Sequence, residues 1–175
     1  MSAPRFSVAV VVERVPLQNR WASEQWRVAS VEPDDAPAAS PRKQIEDATH
    51  TLWRCPGFGI ELHRSESEGY FLNISSPEPK AFVMWRDPQS DGVDDDELKV
   101  RPRLVTVSYN EAGRLLDGGE RVDAVPLPQE VLTWMRPFVV EHYRPEPKRK
   151  SRRNELYERE RTDGPAKKSS NDTQA

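Results

Sequence analysis

The sequence predicts an α+β fold: mostly an antiparallel β meander or small open barrel, with one C-terminal helix and a disordered basic tail. Three observations support this prediction. Apolar and polar residues alternate along several short segments, which is the period of strands. Near residue 130 the apolar residues recur at helical spacing. The last 32 residues carry ten basic and six acidic side chains but only two large apolar ones, Leu156 and Tyr157.

The length of 175 residues fits one domain with an appendage. The boundary is expected where Pro145 and Pro147 stop any preceding helix, which gives a single β-rich domain over residues 1–143 and a charged tail over residues 144–175. The single cysteine excludes a disulfide framework and fits a reducing compartment. The apolar run at residues 8–12 is too short for a signal peptide or a membrane span, so we expect a cytoplasmic protein.

The first predicted unit is a hairpin. In residues 6–12 the side chains of Phe6, Val8, Val10 and Val12 fall on one face while Ala9 and Val11 fall on the other, so both faces of this strand are expected to be covered. A turn at residues 16–19 leads to a returning strand at residues 25–31.

A second hairpin is predicted after a proline-rich loop at residues 33–42. Its strands, residues 49–55 and 59–64, are expected to meet across Pro56-Gly57-Phe58. Ile60 and Leu62 point inward in this interpretation, whereas Glu61 and His63 point outward.

Residues 65–76 carry two conflicting patterns. Ser65 and Glu68 have the spacing of a helix capping box, whereas Tyr70, Leu72 and Ile74 alternate as in a strand. We favour a short helix or turn.

The remaining elements complete the predicted domain. Strands are expected at residues 81–86 and 104–109, separated by an acidic loop at residues 87–97 that is solvated or contacts a basic partner or the tail. Residues 110–119 are expected to hold one helical turn closed by two glycines. The C-terminal helix is expected to begin at Pro128 and to be kinked or split by an internal proline, and its inner face carries Val131, Met135, Phe138 and His142.

Several kinds of chemistry are excluded or disfavoured by the sequence. No glycine precedes Gly57, and the first strand runs into Glu13-Arg14-Val15-Pro16, so the Rossmann and P-loop phosphate sites are absent. His50, Cys55, His63 and His142 lack the spacing of a zinc site. We therefore predict no catalytic residue, no metal and no cofactor, and interpret Cys55 as a half-buried thiol.

Candidate partner-binding residues lie in two places. In the first turn, Trp21 follows Arg20, and its indole either plugs the end of the sheet or stands exposed as an anchor for a partner. In the tail, five of six consecutive residues are basic: Lys148, Arg149, Lys150, Arg152 and Arg153. Such a run attracts anionic surfaces, but the pI of 5.7 and the lack of interleaved aromatics disfavour nucleic acid. We expect a protein partner and no membrane.

Three stretches together resemble a known bacterial family. They begin with residues 8–14, Asn19-Arg20-Trp21 and Trp26-Arg27-Val28. The second group is residues 60–66 with Tyr70, Asn73 and Pro79, leading into residues 82–86. The third is residues 125–128 and 138–142, followed by the basic residues 148–150. The family is one of unknown function whose genes accompany accessory genes of molybdenum-dependent formate dehydrogenase, and the resemblance spans about residues 6–155.

This resemblance implies a non-enzymatic accessory protein that binds a formate dehydrogenase subunit or maturation factor during assembly of that enzyme or a related molybdoenzyme. Some family members carry the label molybdopterin-guanine dinucleotide biosynthesis protein A. The alternative is accordingly a pterin-nucleotide or nucleotide-binding protein, in which Arg14, Arg27, Arg64 or Arg86 would clamp phosphate at the mouth of the barrel.

Overall fold

The computed structural model of the protein describes residues 2–35, 40–87 and 97–145. By its internal contacts the chain divides between Pro145 and Glu146, and all described residues belong to the first unit. Part of the predicted proline-rich loop, nearly all of the acidic loop and almost the whole predicted tail, including its basic run, lie outside the described residues.

The first sheet has four antiparallel strands in the order β2-β1-β4-β3. These are β1 (Arg5–Pro16), β2 (Glu24–Pro33), β3 (Arg42–Glu46) and β4 (Thr51–Glu61). The predicted hairpin of β1 and β2 is confirmed, and residues 8–12 are buried on both faces as expected. The predicted meander is wrong, because β4 lies between β1 and β3 rather than beside β3 alone.

The predicted second hairpin is also wrong, since β4 is one continuous strand through Pro56 and Gly57. Its register with β1 shifts between Val8, opposite Phe58, and Val10, opposite Cys55. Two residues of β4 therefore face one residue of β1, which is the geometry of a β-bulge. Gly57 has a φ of 94°, which a residue without a Cβ adopts at little cost. The Pro-Gly pair thus marks a bulge instead of a turn.

The second sheet has three antiparallel strands in the order β6-β5-β7. These are β5 (Lys80–Arg86), β6 (Arg101–Thr106) and β7 (Arg121–Pro126). The strands predicted at residues 81–86 and 104–109 are confirmed, although β6 begins and ends three residues earlier than expected. Within the first unit the sheets approach each other where β2 lies beside β7 and where β4 lies beside β6. Val28 N donates to Asp123 Oδ2 at 2.9 Å across the first of these junctions.

Three helices cover this framework, rather than one C-terminal helix. They are α1 (Ser67–Ile74), which follows a 3-10 turn at Arg64–Glu66, α2 (Tyr109–Asp117) and α3 (Gln129–His142). The favoured helix within residues 65–76 is confirmed, but the capping box is not formed, since the N-cap is Glu66 and its side chain makes no capping bond. The single turn expected before Gly118 is a helix of nine residues.

α3 keeps its predicted inner face but is not split at Pro137. Val131 and Met135 are fully buried, and Phe138 and His142 are half-buried. Pro137 and Thr133 both lie on the exposed side, so water can bond to the Thr133 carbonyl that proline leaves without an amide partner. Among the described helices none is long and apolar enough to cross a membrane.

One apolar core joins both sheets to α1 and α3 through Val10, Ile60, Tyr70, Val83 and Met135. At its edge the fully buried side chain of Asn73, in the last turn of α1, replaces missing backbone partners. Its Nδ2 donates to Lys80 O at 2.7 Å and to Val107 O at 2.8 Å. Its Oδ1 accepts from Lys80 N at 2.8 Å. One amide group therefore links α1 to the start of β5 and to the residue after β6.

Replacing Asn73 by Ala should lower the free energy of unfolding by about 3 kcal/mol, because it leaves up to three backbone groups unpaired at a buried site. Urea unfolding of the variant and the wild type measures this difference. The matched control is Asn110→Ala, since the Asn110 side chain makes only an exposed contact with Glu68 at 3.4 Å and should change stability by about 0.5 kcal/mol or less. Equal losses in the two variants would contradict the role given to Asn73.

Candidate functional site

The turn between β1 and β2, residues 17–23, holds the most exposed aromatic side chain of the described chain. Trp21 is 94% exposed, so it does not plug the end of the sheet. The turn is nevertheless ordered: Leu17 N donates to Ser23 O at 2.8 Å, and Asn19 Oδ1 accepts from Trp21 N at 3.0 Å and from Ala22 N at 2.7 Å. The Trp21 indole therefore projects from a fixed backbone with its surface in water.

Such an arrangement favours binding for two physical reasons. An indole has a large apolar surface that gains free energy when a partner covers it. The bonds to Asn19 hold the backbone in place before binding, which reduces the conformational entropy lost on association. Arg20, the other candidate residue of this turn, is exposed beside Trp21.

A second ordered turn lies at the same end of the first sheet. It connects β3 to β4, and the register brings it there because Arg14 of β1 pairs with both Trp26 of β2 and Thr51 of β4. Asp47 Oδ1 accepts from Thr49 N at 2.7 Å and from His50 N at 2.9 Å. The side-chain hydroxyl of Thr49, followed by these amides, lowers the pKa of Asp47 to about 2.

Charged side chains support the strands beneath both turns. Lys99 Nζ donates to Glu24 Oε1 at 2.7 Å and is the main reason that the pKa of Glu24 is lowered. Arg14 Nη1 lies 3.8 Å from Glu24 Oε2, and Arg14 Nη2 donates to Thr51 Oγ1 at 3.2 Å. Arg14 thus ties β1 to both of its neighbouring strands.

The four arginines considered for phosphate binding are not brought together. Arg14, Arg64 and Arg86 each line a different cavity. Arg27 Nε lies 2.6 Å from Glu13 Oε2, and Arg86 Nη2 lies 2.5 Å from Glu120 Oε1. Arg14, Arg27 and Arg86 are therefore each paired with a carboxylate of the same domain.

The histidines beside β4 are also kept apart. His50 precedes β4 and His63 follows it, so the continuous strand holds them at opposite ends, whereas a hairpin would have brought them close. Within residues 2–35, 40–87 and 97–145, no three His, Cys, Asp or Glu side chains are placed to hold a metal ion.

Cys55 lies inside β4 and is only 3% exposed, so it is fully rather than half buried. Burial raises the pKa of its thiol to about 11, because the thiolate loses its hydration. At neutral pH the nucleophilic form is therefore rare, and the environment is that of a packed core residue.

Native protein should accordingly react very slowly with the neutral thiol reagent iodoacetamide near pH 8, where about one Cys55 in a thousand is a thiolate. The same chain unfolded in urea should react quickly, since the thiol then regains an ordinary pKa. Mass spectrometry follows both reactions, and Cys55→Ser supplies the blank because the chain has one cysteine. Rapid labelling of the native form would contradict the burial described here.

The cavities between β4 and β6, which are lined by Arg5, Phe58 and Arg103 among others, were not predicted from the sequence. Gly57 next to Phe58 is the available signal, but a Pro-Gly pair also predicts a turn. Of the predicted partner-binding residues, only Arg20 and Trp21 lie in the described chain.

Comparison with known proteins gives one match. A family model described as protein of unknown function, DUF3305, matches residues 7–152, which include every strand and helix described above except the first two residues of β1. No curated protein and no solved structure matches the chain. Since the family model covers most of the sequence, the chain belongs to the DUF3305 family.

Proposed function

We propose that this protein is a non-enzymatic accessory protein that binds a protein partner through the turn carrying Trp21. The observation that carries the proposal is the 94% exposure of Trp21 on a turn fixed by hydrogen bonds. Tryptophan and arginine are the side chains most often responsible for affinity at protein interfaces. Here Trp21 and Arg20 are neighbours on that turn.

Buried polar side chains of the described chain support this proposal because their roles are structural. Ser108 Oγ donates to Glu66 Oε2 at 2.7 Å and accepts from Glu111 N at 3.1 Å, which makes it the N-cap of α2. Tyr70 accepts from His63 N at 3.0 Å and donates to Glu61 O, and burial raises its pKa to about 12. Neither arrangement is that of an activated nucleophile or a base poised near neutral pH.

The partner that we propose is a formate dehydrogenase subunit or a maturation factor of that enzyme or a related molybdoenzyme in the cytoplasm. This identity rests on the family resemblance described with the sequence. The basic residues Lys148, Arg149, Lys150, Arg152 and Arg153 would provide a second contact, to an acidic surface of the partner.

Co-purification of formate dehydrogenase subunits and their maturation factors with tagged variants tests the turn. Trp21→Ala should reduce the recovered partner by about tenfold or more, the loss typical of a tryptophan at the centre of an interface. It should leave the melting temperature unchanged, because the indole is exposed. The control is Val140→Ala, which removes another exposed apolar side chain, 77% exposed, from α3. Equal recovery with both variants would exclude Trp21 as the anchor.

Deletion of residues 146–175 tests the second contact. We expect the shortened chain to melt like the full chain, since the core lies within residues 2–145. Its binding to the partner should weaken most at low salt, where charge attraction is least screened. Binding that is unchanged at every salt concentration would remove the basic segment from the proposal.

A further inference from the structure

Two cavities meet at the bulge of β4. The first has a volume of about 410 Å³ and includes Gly57 and Gly59 in its lining. The second has a volume of about 310 Å³ and includes Trp53 and Pro56. Phe58 and Arg103 line both. The two cavities are therefore neighbours that share these two side chains, and together they are here called the Phe58 groove, with each part in the size range of small-molecule sites.

The groove exists because, among the strands that the structure describes, two lack hydrogen-bonded neighbours along the same opening. β3 pairs with β4 only from Thr51 to Arg54. Beyond that point this side of β4 faces β6, which is the outermost strand of the second sheet. The two sheets are separate there, and the groove occupies the junction between them.

The bulge determines which side chains reach the groove. Cys55 is buried before the bulge, and Ile60 is buried after it. The inward-facing side chains of β4 therefore have odd residue numbers before the bulge and even residue numbers after it. In a regular strand, residues three positions apart lie on opposite faces, so Phe58 shares the face of Cys55 only because of the bulge. The bulge thus turns Phe58 toward the junction.

Buried charge holds the bulge in place. Asp34 is 5% exposed; its Oδ1 accepts from Arg54 Nη2 at 3.2 Å and its Oδ2 accepts from Gly57 N at 3.4 Å. These bonds fix Gly57 in its left-handed conformation from a position 23 residues away. Bulges are enriched next to binding sites, where they set the direction of a side chain.

Both ends of the groove are lined by arginine and apolar side chains. At one end, the guanidinium of Arg5 lies over Gly59, where a Cβ would come within 2.2 Å of Arg5 Nε. Arg5 Nη1 lies 3.3 Å from Glu61 Oε1, and His63 lines the same cavity. At the other end Arg101 and Arg103 line the cavity together with the ring of Trp53, one face of which is covered by Lys43 at 5.1 Å, and with Pro41, Pro56 and Pro102.

We propose that the Phe58 groove is a binding site for a small aromatic anion. The ring of the ligand packs against Phe58, and its carboxylate, sulfonate or phosphate accepts hydrogen bonds from the Arg5 guanidinium. Aromatic stacking favours a planar ligand, and a guanidinium beside it selects a negative charge. This site is independent of the Trp21 turn and of the proposed partner.

Fluorescence titration of the full chain with anilinonaphthalene sulfonate, an aromatic anion that emits when shielded from water, tests the site. We expect saturable binding that is weakened about tenfold in Arg5→Gln, the loss expected for a charge-assisted hydrogen bond. Phe58→Leu should weaken binding similarly. The control is Arg27→Gln, which removes another exposed, carboxylate-paired guanidinium from β2 and should bind as the wild type does.

A second variant keeps the test decisive if Phe58→Leu fails to fold. Gly59→Ala should displace only the flexible Arg5 side chain, so it should melt like the wild type and bind the probe as weakly as Arg5→Gln. In the wild type, the backbone amide NMR signals of Gly57 and Gly59 should shift on addition of the probe. Equal affinity in Arg5→Gln, Gly59→Ala and Arg27→Gln, or signals that shift only elsewhere, would overturn the proposal.

Discussion

Where a helix ends beside a sheet, backbone groups are removed from water before regular hydrogen bonding can begin, and here the side-chain amide of Asn73 supplies the missing partners. Its geometry requires α1, the start of β5 and the end of β6 to be in place together. From this position α1 also packs against α2 and α3. A small domain gains cooperativity from such a shared polar link, because one side chain holds a helix and two strands of the second sheet together.

Elements with a strong local pattern were predictable from the sequence. The buried strand β1 and the inner face of α3 follow from apolar spacing alone. β3 was missed because all five of its residues are exposed and carry no alternation. The bulge in β4 was mistaken for a turn since a Pro-Gly pair is compatible with both, and the deciding contact comes from Asp34, distant in sequence.

The candidate sites also differ in how far they could be predicted from the sequence. Trp21 and Arg20 could be selected as candidates from their place in a turn. Whether the Trp21 side chain is exposed, however, depends on whether another element covers the end of the sheet, and the local sequence pattern does not show this. The Phe58 groove could not be predicted from the sequence, because its walls, β4 and β6, are about forty residues apart in the chain and belong to different sheets. Its chemistry emerges only when tertiary structure places Arg5 over Gly59.

The change of inward side within β4 has a consequence for how this chain can vary in length. A strand of constant alternation can be extended at its ends without moving its interior. Between Cys55 and Ile60, however, gain of one more residue would turn Ile60 and Leu62 toward water and place Glu61 in the core, whereas loss of one residue would remove the bulge and leave a regular strand with Ile60 still inward. We therefore expect natural variation in length between these two buried residues to be confined to loss of the bulge residue, with other changes in length in the connections.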